Sequence, residues 1–372
     1  MATRELFCRN HNVLYGWPSV ATPELSAVCG STKQFGGGHR GPPVQDLSAT
    51  QSFLMEFGIE IPAEKPFDAV AFGLNAVDYL ILVPYYPEFN TKTELISHKL
   101  APGGQCATAM VALARLGLRT RYIGTVGSDD LGRFQLESIV SEGVECSGVQ
   151  VIDGAESQIA FIIVDQKTGE RTILWRRDDK LRIPAKEVDR GMVISGRVLH
   201  LDGHDVAGAT KAAEYARAAG VPTVLDIDNA YTGVENLIPL IDFLIASTSF
   251  HERVTGETDL RAGLKKLSAM TGSRFVAATL GRDGVLAFYR DQFLHVPGFE
   301  IDCVDTTGAG DAFHGGFIYG LVKGMSVEET LRFANAVAAL KCRAVGARTG
   351  LPRLDEVNAL LAGGDEHLKK NR

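Results

Sequence analysis

The residues with the clearest chemical potential lie in one run, Cys303-Val304-Asp305-Thr306-Thr307-Gly308-Ala309-Gly310-Asp311-Ala312-Phe313-His314-Gly315-Gly316-Phe317. A polar turn of small residues opens directly into a stretch, Ala309–Val322, that reads as a helix. Gly308 and Gly310 let the backbone turn tightly with no side chain in the way. The first amides of a helix lack internal acceptors, and the dipole adds about half a positive charge there. The amides of Gly308, Ala309 and Gly310 are therefore a place for an anion, phosphate included. Asp311 falls in the first turn beside that place. A carboxylate there would repel a resting phosphate. It makes sense if it takes a proton from a hydroxyl while the amides hold the phosphoryl group which that hydroxyl attacks. The alternative is a first-turn acid that only offsets the helix dipole.

Other residues offer binding chemistry at strand ends. Thr279 follows the apolar run Phe275–Ala278 and precedes Gly281 and Gly284; its hydroxyl is placed either for phosphates or for a strand-to-turn hydrogen bond. Gly103 and Gly104 follow Pro102 and permit close approach of a ligand to the backbone, or form a plain turn. Gly36-Gly37-Gly38-His39-Arg40-Gly41 matches G-x-G-x-x-G, but no strand precedes it and Pro42-Pro43 stands where a helix should begin. It reads as a loop.

Such residues need a frame, and the chain supplies one after residue 66. Before that point lie six of the 14 prolines and no sustained periodicity, so residues 1–66 read as an N-terminal extension, loosely ordered or packed late on the main domain. From Phe67 onward short apolar runs alternate with helical patterns. Phe67–Leu74, Arg121–Val126, Val198–Asp202, Val221–Asp226, Asp242–Ala246 and Phe275–Leu280 read as strands, and Cys106–Leu116, Leu131–Ser141 and Thr210–Ala219 as helices. This alternation predicts an α/β fold with a largely parallel sheet, helices on both faces, and ligands at the carboxyl ends of the strands. The segments Asp78–Lys99 and Ser157–Arg177 break the rhythm as β-ribbon. The second is a hairpin with arms Ile159–Val164 and Arg171–Trp175. A small inserted sheet of this kind predicts a lid over a site, with decorative edge strands as the alternative. Residues 67–365 form the predicted domain, with the lid at about 78–100 and 157–177, and 366–372 form a C-terminal tail.

Composition narrows the function. Net charge is 38 − 45 = −7, which argues against gripping nucleic acid by bulk electrostatics. The six cysteines show no C-x-x-C spacing, which argues against a structural zinc site. The start of the chain lacks an apolar signal segment, and no run is long enough to span a bilayer. The expectation is a cytoplasmic protein with no membrane and no nucleic-acid partner.

The run Asp305-Thr306-Thr307-Gly308-Ala309-Gly310-Asp311 resembles, residue for residue, the C-terminal signature of the ribokinase-like (PfkB-type) carbohydrate kinases. Further matches follow in register. Gly73-Leu74-Asn75-Ala76-Val77-Asp78 resembles the family's first strand and substrate-binding Asp. Gly103-Gly104-Gln105-Cys106-Ala107-Thr108, with Ala114-Arg115-Leu116-Gly117 beyond it, resembles the N-terminal double-glycine signature. Gly127-Ser128-Asp129-Asp130-Leu131-Gly132 resembles the G-x-D-x-x-G turn, and Thr279-Leu280-Gly281-Arg282-Asp283-Gly284 the nucleotide loop. The resemblance spans about Phe67 to Leu361. It implies a ribokinase-like parallel sheet with an inserted β lid and ATP-dependent transfer of the γ-phosphoryl group to a hydroxyl of a small carbohydrate: a pentose, a ketohexose or a derivative. In that scheme Asp311 is the base and Gly308, Ala309 and Gly310 form the anion hole. Asn75, Asp78, Gly103, Gly104 and Thr108 meet the substrate. Thr279, Gly281, Gly284 and Asn335 meet the nucleotide. Mg²⁺ travels with ATP, its water organised by Glu252, and K⁺ supports the anion hole at Asp305 and the carbonyl of Thr307, unless Asp305 only caps its own turn.

The resemblance also has departures. Ser249-Phe250-His251-Glu252 stands where the family has Asn-x-x-Glu, and Thr108 stands where it commonly has Asn. Metal handling and sugar preference are the properties these touch. Arg176 and Arg177 on the lid either meet an anionic group on the sugar or are solvated edge charges. Tyr85, Tyr86 and Phe89 offer a shelf for a nucleobase, which leaves a nucleoside kinase as the alternative, and also allow a homodimer through the lid. A ligand-binding regulator that has lost turnover is disfavoured by the intact Asp311.

Overall fold

The computed structural model describes residues 56–363 apart from 169 and 272. The Gly36–Gly41 run and the tail 366–372 lie outside the described residues. The strands in chain order are β1 (Phe67–Phe72), β2 (Ala76–Val83), β3 (Ser97–Gly103), β4 (Thr120–Gly127), β5 (Glu145–Ile152) and β6 (Ile159–Asp165). Then come β7 (Arg171–Arg176), β8 (Gly196–Asp202), β9 (Thr223–Ile227), β10 (Phe243–Ser247), β11 (Phe275–Thr279), β12 (Val285–Tyr289) and β13 (Gln292–Val296). Nine of them form one sheet in the order β13-β12-β11-β10-β9-β8-β1-β4-β5. Its pairs are parallel from β11 to β5, while β12 and β13 close one edge as an antiparallel meander. The alternating strand and helix pattern predicts the parallel part. The meander follows from the short connections around β12, which leave no room for a crossover helix.

Successive side chains of β1 point to opposite faces, as a strand requires. Ala69 and Ala71 pack with the helices Gln105–Arg115, Ala309–Lys323 and Val327–Lys341, whereas Val70 and Phe72 pack with the helix Val206–Ala218 on the other side. Both faces are thus covered, and β1 is almost wholly apolar for that reason. Among the described residues no helix is long and apolar enough to cross a membrane.

The other sheet has the order β3-β2-β6-β7. β6 and β7 pair antiparallel as the expected hairpin, and β2 joins it by pairing parallel to β6 and antiparallel to β3. Leu80, Ala101, Ala160, Ile162 and Val164 form its own small apolar cluster. This is the inserted lid.

The described part of the N-terminal extension, residues 56–66, packs on the domain. Phe57 inserts its ring among Phe243, Phe275, Tyr289 and Phe317 at centroid distances of 5.3, 5.5, 6.2 and 5.6 Å. Backbone carbonyls of the same segment are bound from the domain: Tyr289 Oη donates to Glu56 O at 2.7 Å and Arg197 Nε to Pro62 O at 2.6 Å. Irregular backbone hides a tethered segment from any periodicity search, because one anchoring aromatic leaves no repeat. Phe57→Ala is expected to destabilise the protein by about 3–5 kcal/mol, the range for truncating a buried Phe, measured by denaturant unfolding; a loss under about 1 kcal/mol would remove Phe57 from the core.

Candidate active site

A cleft of about 1170 Å³ opens between the carboxyl ends of the parallel strands and the lid. Its floor is the turn into the helix Ala309–Lys323. Gly308 holds φ at 76°, and a Cβ there would come within 2.8 Å of Ala347 Cα. Only glycine allows the chain to turn so close to that neighbour. The amides of Gly308 and Gly310 meet no acceptor among the described residues, but Ala309 N–H donates to Thr306 O at 3.1 Å. Ala309 was expected in the anion hole; its amide is spent on closing the turn, which leaves the two glycines.

Asp311 lines the cleft in the first turn, as expected. Burial raises its carboxyl to about 6, against the opposing pull of Arg171, Arg348 and Lys341; Asp228 adds to the rise. Asp78 stands on β2 across the cleft. Burial raises it to about 7, with Arg348 acting in the opposite sense and Asp311 and Asp305 adding to the rise. Asp226 also lines the cleft and is pushed up by burial, by Asp311, by Asp228 and by Asp202. Beneath them His200 and His314 are held neutral by burial, at about 3 and about 4.

Asp305 is buried and spends its carboxylate locally. Oδ1 accepts from the Thr307 amide at 2.8 Å and its hydroxyl at 2.7 Å, and Oδ2 accepts from Gly346 N–H at 2.7 Å. These bonds and Lys341 hold the carboxyl below the usual carboxylate range against its burial. Of the two readings left open by the sequence, the geometry matches the turn cap.

The expected substrate residues divide. Asp78 and Gly104 reach the cleft wall; Asn75, Gly103 and Thr108 lie behind it. The glycine at 103 has a defined task, because a Cβ there would fall 2.1 Å from Asp78 Oδ2. Behind the wall stands Arg348, which sequence reasoning did not single out. Its guanidinium, almost wholly buried, donates to Thr108 Oγ1 at 3.3 Å, Asn75 Oδ1 at 3.0 Å, Gly103 O at 2.5 Å and Ser138 Oγ at 3.0 Å. The same burial pulls it down to about 10, with Asp78 the leading opposing charge. Its one available signal was an arginine inside the glycine-flanked run Gly346-Ala347-Arg348-Thr349-Gly350.

On the opposite side Thr279, Gly281 and Gly284 line the cleft with Gly298, Phe299, Ala338 and Ala339. Asn335 lines it too, yet its amide group is committed: Nδ2 donates to Val296 O and Pro297 O at 3.0 Å each, tying the helix Val327–Lys341 to the end of β13. That helix begins with a capping box, Ser326 and Glu329 exchanging bonds. Glu252 is exposed on the short helix Phe250–Thr255 and is not among the residues lining the cleft. Asp226 and Asp228 are the carboxylates that line the cleft near this strand end.

The lid reaches this floor. Arg171 donates to Thr306 Oγ1, and Gln166, Lys167 and Thr168 at the hairpin turn line the cleft. The arginines weighed for an anionic sugar are already paired. Arg177 forms two bonds of 2.7 Å to the Asp205 carboxylate, and Arg176 meets Glu156. Tyr85, Tyr86 and Phe89 are exposed and do not line the cleft.

A parallel sheet with a β lid, a glycine turn at a helix mouth and a carboxyl beside it accord with a carbohydrate phosphotransferase. The chain belongs to the pfkB family carbohydrate kinases, whose profile matches residues 68–354. It is 28% identical over 291 residues to a ribokinase of Haemophilus influenzae, covering 76% of this chain and 94% of that one. It is 30% identical over 292 residues to an ATP-dependent ribose-1-phosphate kinase of Halopiger xanaduensis, covering 77% and 95%. An Arabidopsis thaliana ribokinase solved with ribose and ATP shares the fold, with a TM-score of 0.66 at 24% identity over 79% of this chain and 98% of that one.

The raised carboxyls have a cost in stability. A carboxyl whose folded value lies above its unfolded value stabilises fully below the unfolded value, near 3.8, and that contribution is lost as pH rises through the folded value, about 6 for Asp311. Asp311→Asn is therefore expected to raise the melting temperature at pH 8, with a gain that shrinks as pH falls through 6 toward 4. Scanning calorimetry across that range checks this, and a pH-independent difference would contradict it.

Proposed function

We propose that the chain is an ATP-dependent sugar kinase that phosphorylates a hydroxyl of a small carbohydrate. The observation that carries this reading is Asp311, a carboxyl raised by burial to about 6, beside the acceptor-free amides of Gly308 and Gly310 and in one cleft with Asp78. Near neutral pH such a group is ionised yet basic enough to take a proton. Asp78, with two carboxylate oxygens, holds sugar hydroxyls and aims one at Asp311. Asp311 accepts that hydroxyl's proton as the sugar oxygen bonds to the γ-phosphorus. The bond from that phosphorus to the bridging oxygen breaks, and ADP leaves with the electron pair. The two glycine amides hold the charge on the phosphoryl oxygens during transfer. Arg348 is a positioning residue that fixes the wall carrying Gly103 and hence Asp78. Thr279, Gly281 and Gly284 border the nucleotide, whose base lies against Phe299, Ala338 and Ala339.

The donor set fits a magnesium ion brought by the nucleotide. Asp226 and Asp228 line the cleft, and among the described residues Asp226 Oδ2 is a buried oxygen that accepts no hydrogen bond, with His314 Nδ1 standing 3.4 Å away. When bound, the ion shields phosphate charge.

A nucleoside acceptor is the second reading, favoured by one observation. Trp175 on β7 lines the cleft beside His204 and Tyr231, with ring centroids 5.8 Å apart for Trp175 and His204 and 5.0 Å for His204 and Tyr231. This is the aromatic shelf a base needs, supplied by residues other than those first expected. The apolar outer face of the lid, with Phe161 and Leu174 exposed, supports pairing of two lids in a homodimer, which light scattering would read.

Asp311→Asn is expected to keep nucleotide binding and lose roughly 10²–10⁴-fold in kcat, the usual worth of a positioned base; near-normal turnover would refute the role. Asp78→Ala should raise the acceptor KM and leave the ATP KM within about twofold, since its site is the acceptor wall. An ADP-release screen across pentoses, ketohexoses, phosphorylated sugars and nucleosides decides between the two acceptors. Release with no acceptor at all would remove both.

A further inference from the structure

We infer that the ammonium of Lys341 is a built-in monovalent cation that holds the Asp305–Thr307 turn, so that the phosphate-holding helix mouth works without K⁺. The inference rests on the proposed reading of that mouth. Lys341 ends the helix Val327–Lys341, and its side chain is completely buried. Nζ donates to the carbonyl of Asp305 at 2.8 Å. The family resemblance assigns K⁺ to Asp305 and to the carbonyl of Thr307, and each of the three Asp305 oxygens already has a donor from within the chain. The carbonyl takes the ammonium, Oδ1 takes the Thr307 amide and hydroxyl, and Oδ2 takes the Gly346 amide.

Charge and packing point the same way. A buried ammonium is tolerated only with oxygen partners and an opposing charge nearby, and the Asp305 carboxylate supplies that charge. A second cation in the same pocket would face the ammonium at low dielectric, where like charges repel strongly. Backbone packing fixes the root of the side chain: a Cβ at Gly350 would stand 2.1 Å from the Lys341 carbonyl, and the next carbonyl, of Cys342, accepts from the amides of Val304 and Asp305 at 2.8 and 3.2 Å. The ammonium is therefore held at the end of a short, pinned lever against the turn that leads into Gly308. It is a positioning residue: it touches neither donor nor acceptor.

The test compares KCl with tetramethylammonium chloride at equal ionic strength. For the wild-type chain, calorimetric affinity for the Mg²⁺ complex of a non-hydrolysable ATP analogue, and the melting temperature, are expected to be the same in both salts, within about twofold for affinity. Lys341→Ala is expected to lose about tenfold or more in that affinity in tetramethylammonium and to regain it in K⁺, which can enter the space vacated. Lys341→Met, which fills the space without charge, should lose the affinity in both salts. A wild-type affinity that rises more than about threefold with K⁺, or a Lys341→Ala chain with wild-type affinity in tetramethylammonium, would overturn the inference. If the variants do not fold, the wild-type comparison decides alone. Failure of the kinase reading shows elsewhere, as an acceptor screen without phosphorylated product while nucleotide binding is intact.

Discussion

One short segment, from Lys341 to Arg348, holds both walls of the cleft. Its first residue reaches the Asp305 carbonyl, its middle amide at Gly346 reaches the Asp305 carboxylate, and its last side chain grips Asn75, Gly103 and Thr108. The helix mouth that carries Asp311 and the strand end that carries Asp78 are far apart in the chain, and neither fixes the other directly. Each is bonded to this segment, so their relative position is set by one rigid bridge. Arg115 strengthens it by donating to the carbonyls of Arg348 and Leu351 at 2.9 Å each.

The same bridge sets the electrostatics. The cleft gathers the carboxyls of Asp78, Asp226, Asp228 and Asp311, an arrangement that would repel itself and any phosphate if all were ionised. Burial answers part of this by raising Asp78, Asp226 and Asp311. Arg171, Arg348 and Lys341 answer the rest by drawing Asp311 back down. Two of these three cations come from the bridge and one from the lid. Arg171 sits on β7 and bonds to Thr306, so one of the charges that draw Asp311 down is supplied by the inserted sheet.

The sheet edge and the lid show why some parts of the fold were readable and others were not. The parallel strands are buried on both faces and announce themselves as apolar runs such as Phe67-Asp68-Ala69-Val70-Ala71-Phe72. The hairpin β6–β7 has its turn residues in place. The strand β5 was not singled out, because its residues are half exposed at the edge and its pattern is mixed. The segment around Phe57 carries no period at all, and only the ring of aromatics it enters explains its order.

By itself the sequence located the helix mouth and its acid. Glycines, a first-turn acid and a polar turn are local features, and local features are written in adjacent residues. Asp311, the lid and the parallel core followed from it, as did the family likeness. Only the tertiary structure decided which candidates share a cavity. Side-chain commitments between residues more than 200 positions apart, as between Arg348 and Thr108, leave no spacing to read. Asn335 and Asp305 look like ligand residues in one dimension, but the Asn335 Nδ2 and one Asp305 oxygen are bonded to backbone groups that only folding brings near. A buried ammonium is likewise invisible in a helix end that looks like any other last turn, since burial is a property of what surrounds a residue and not of the residue itself.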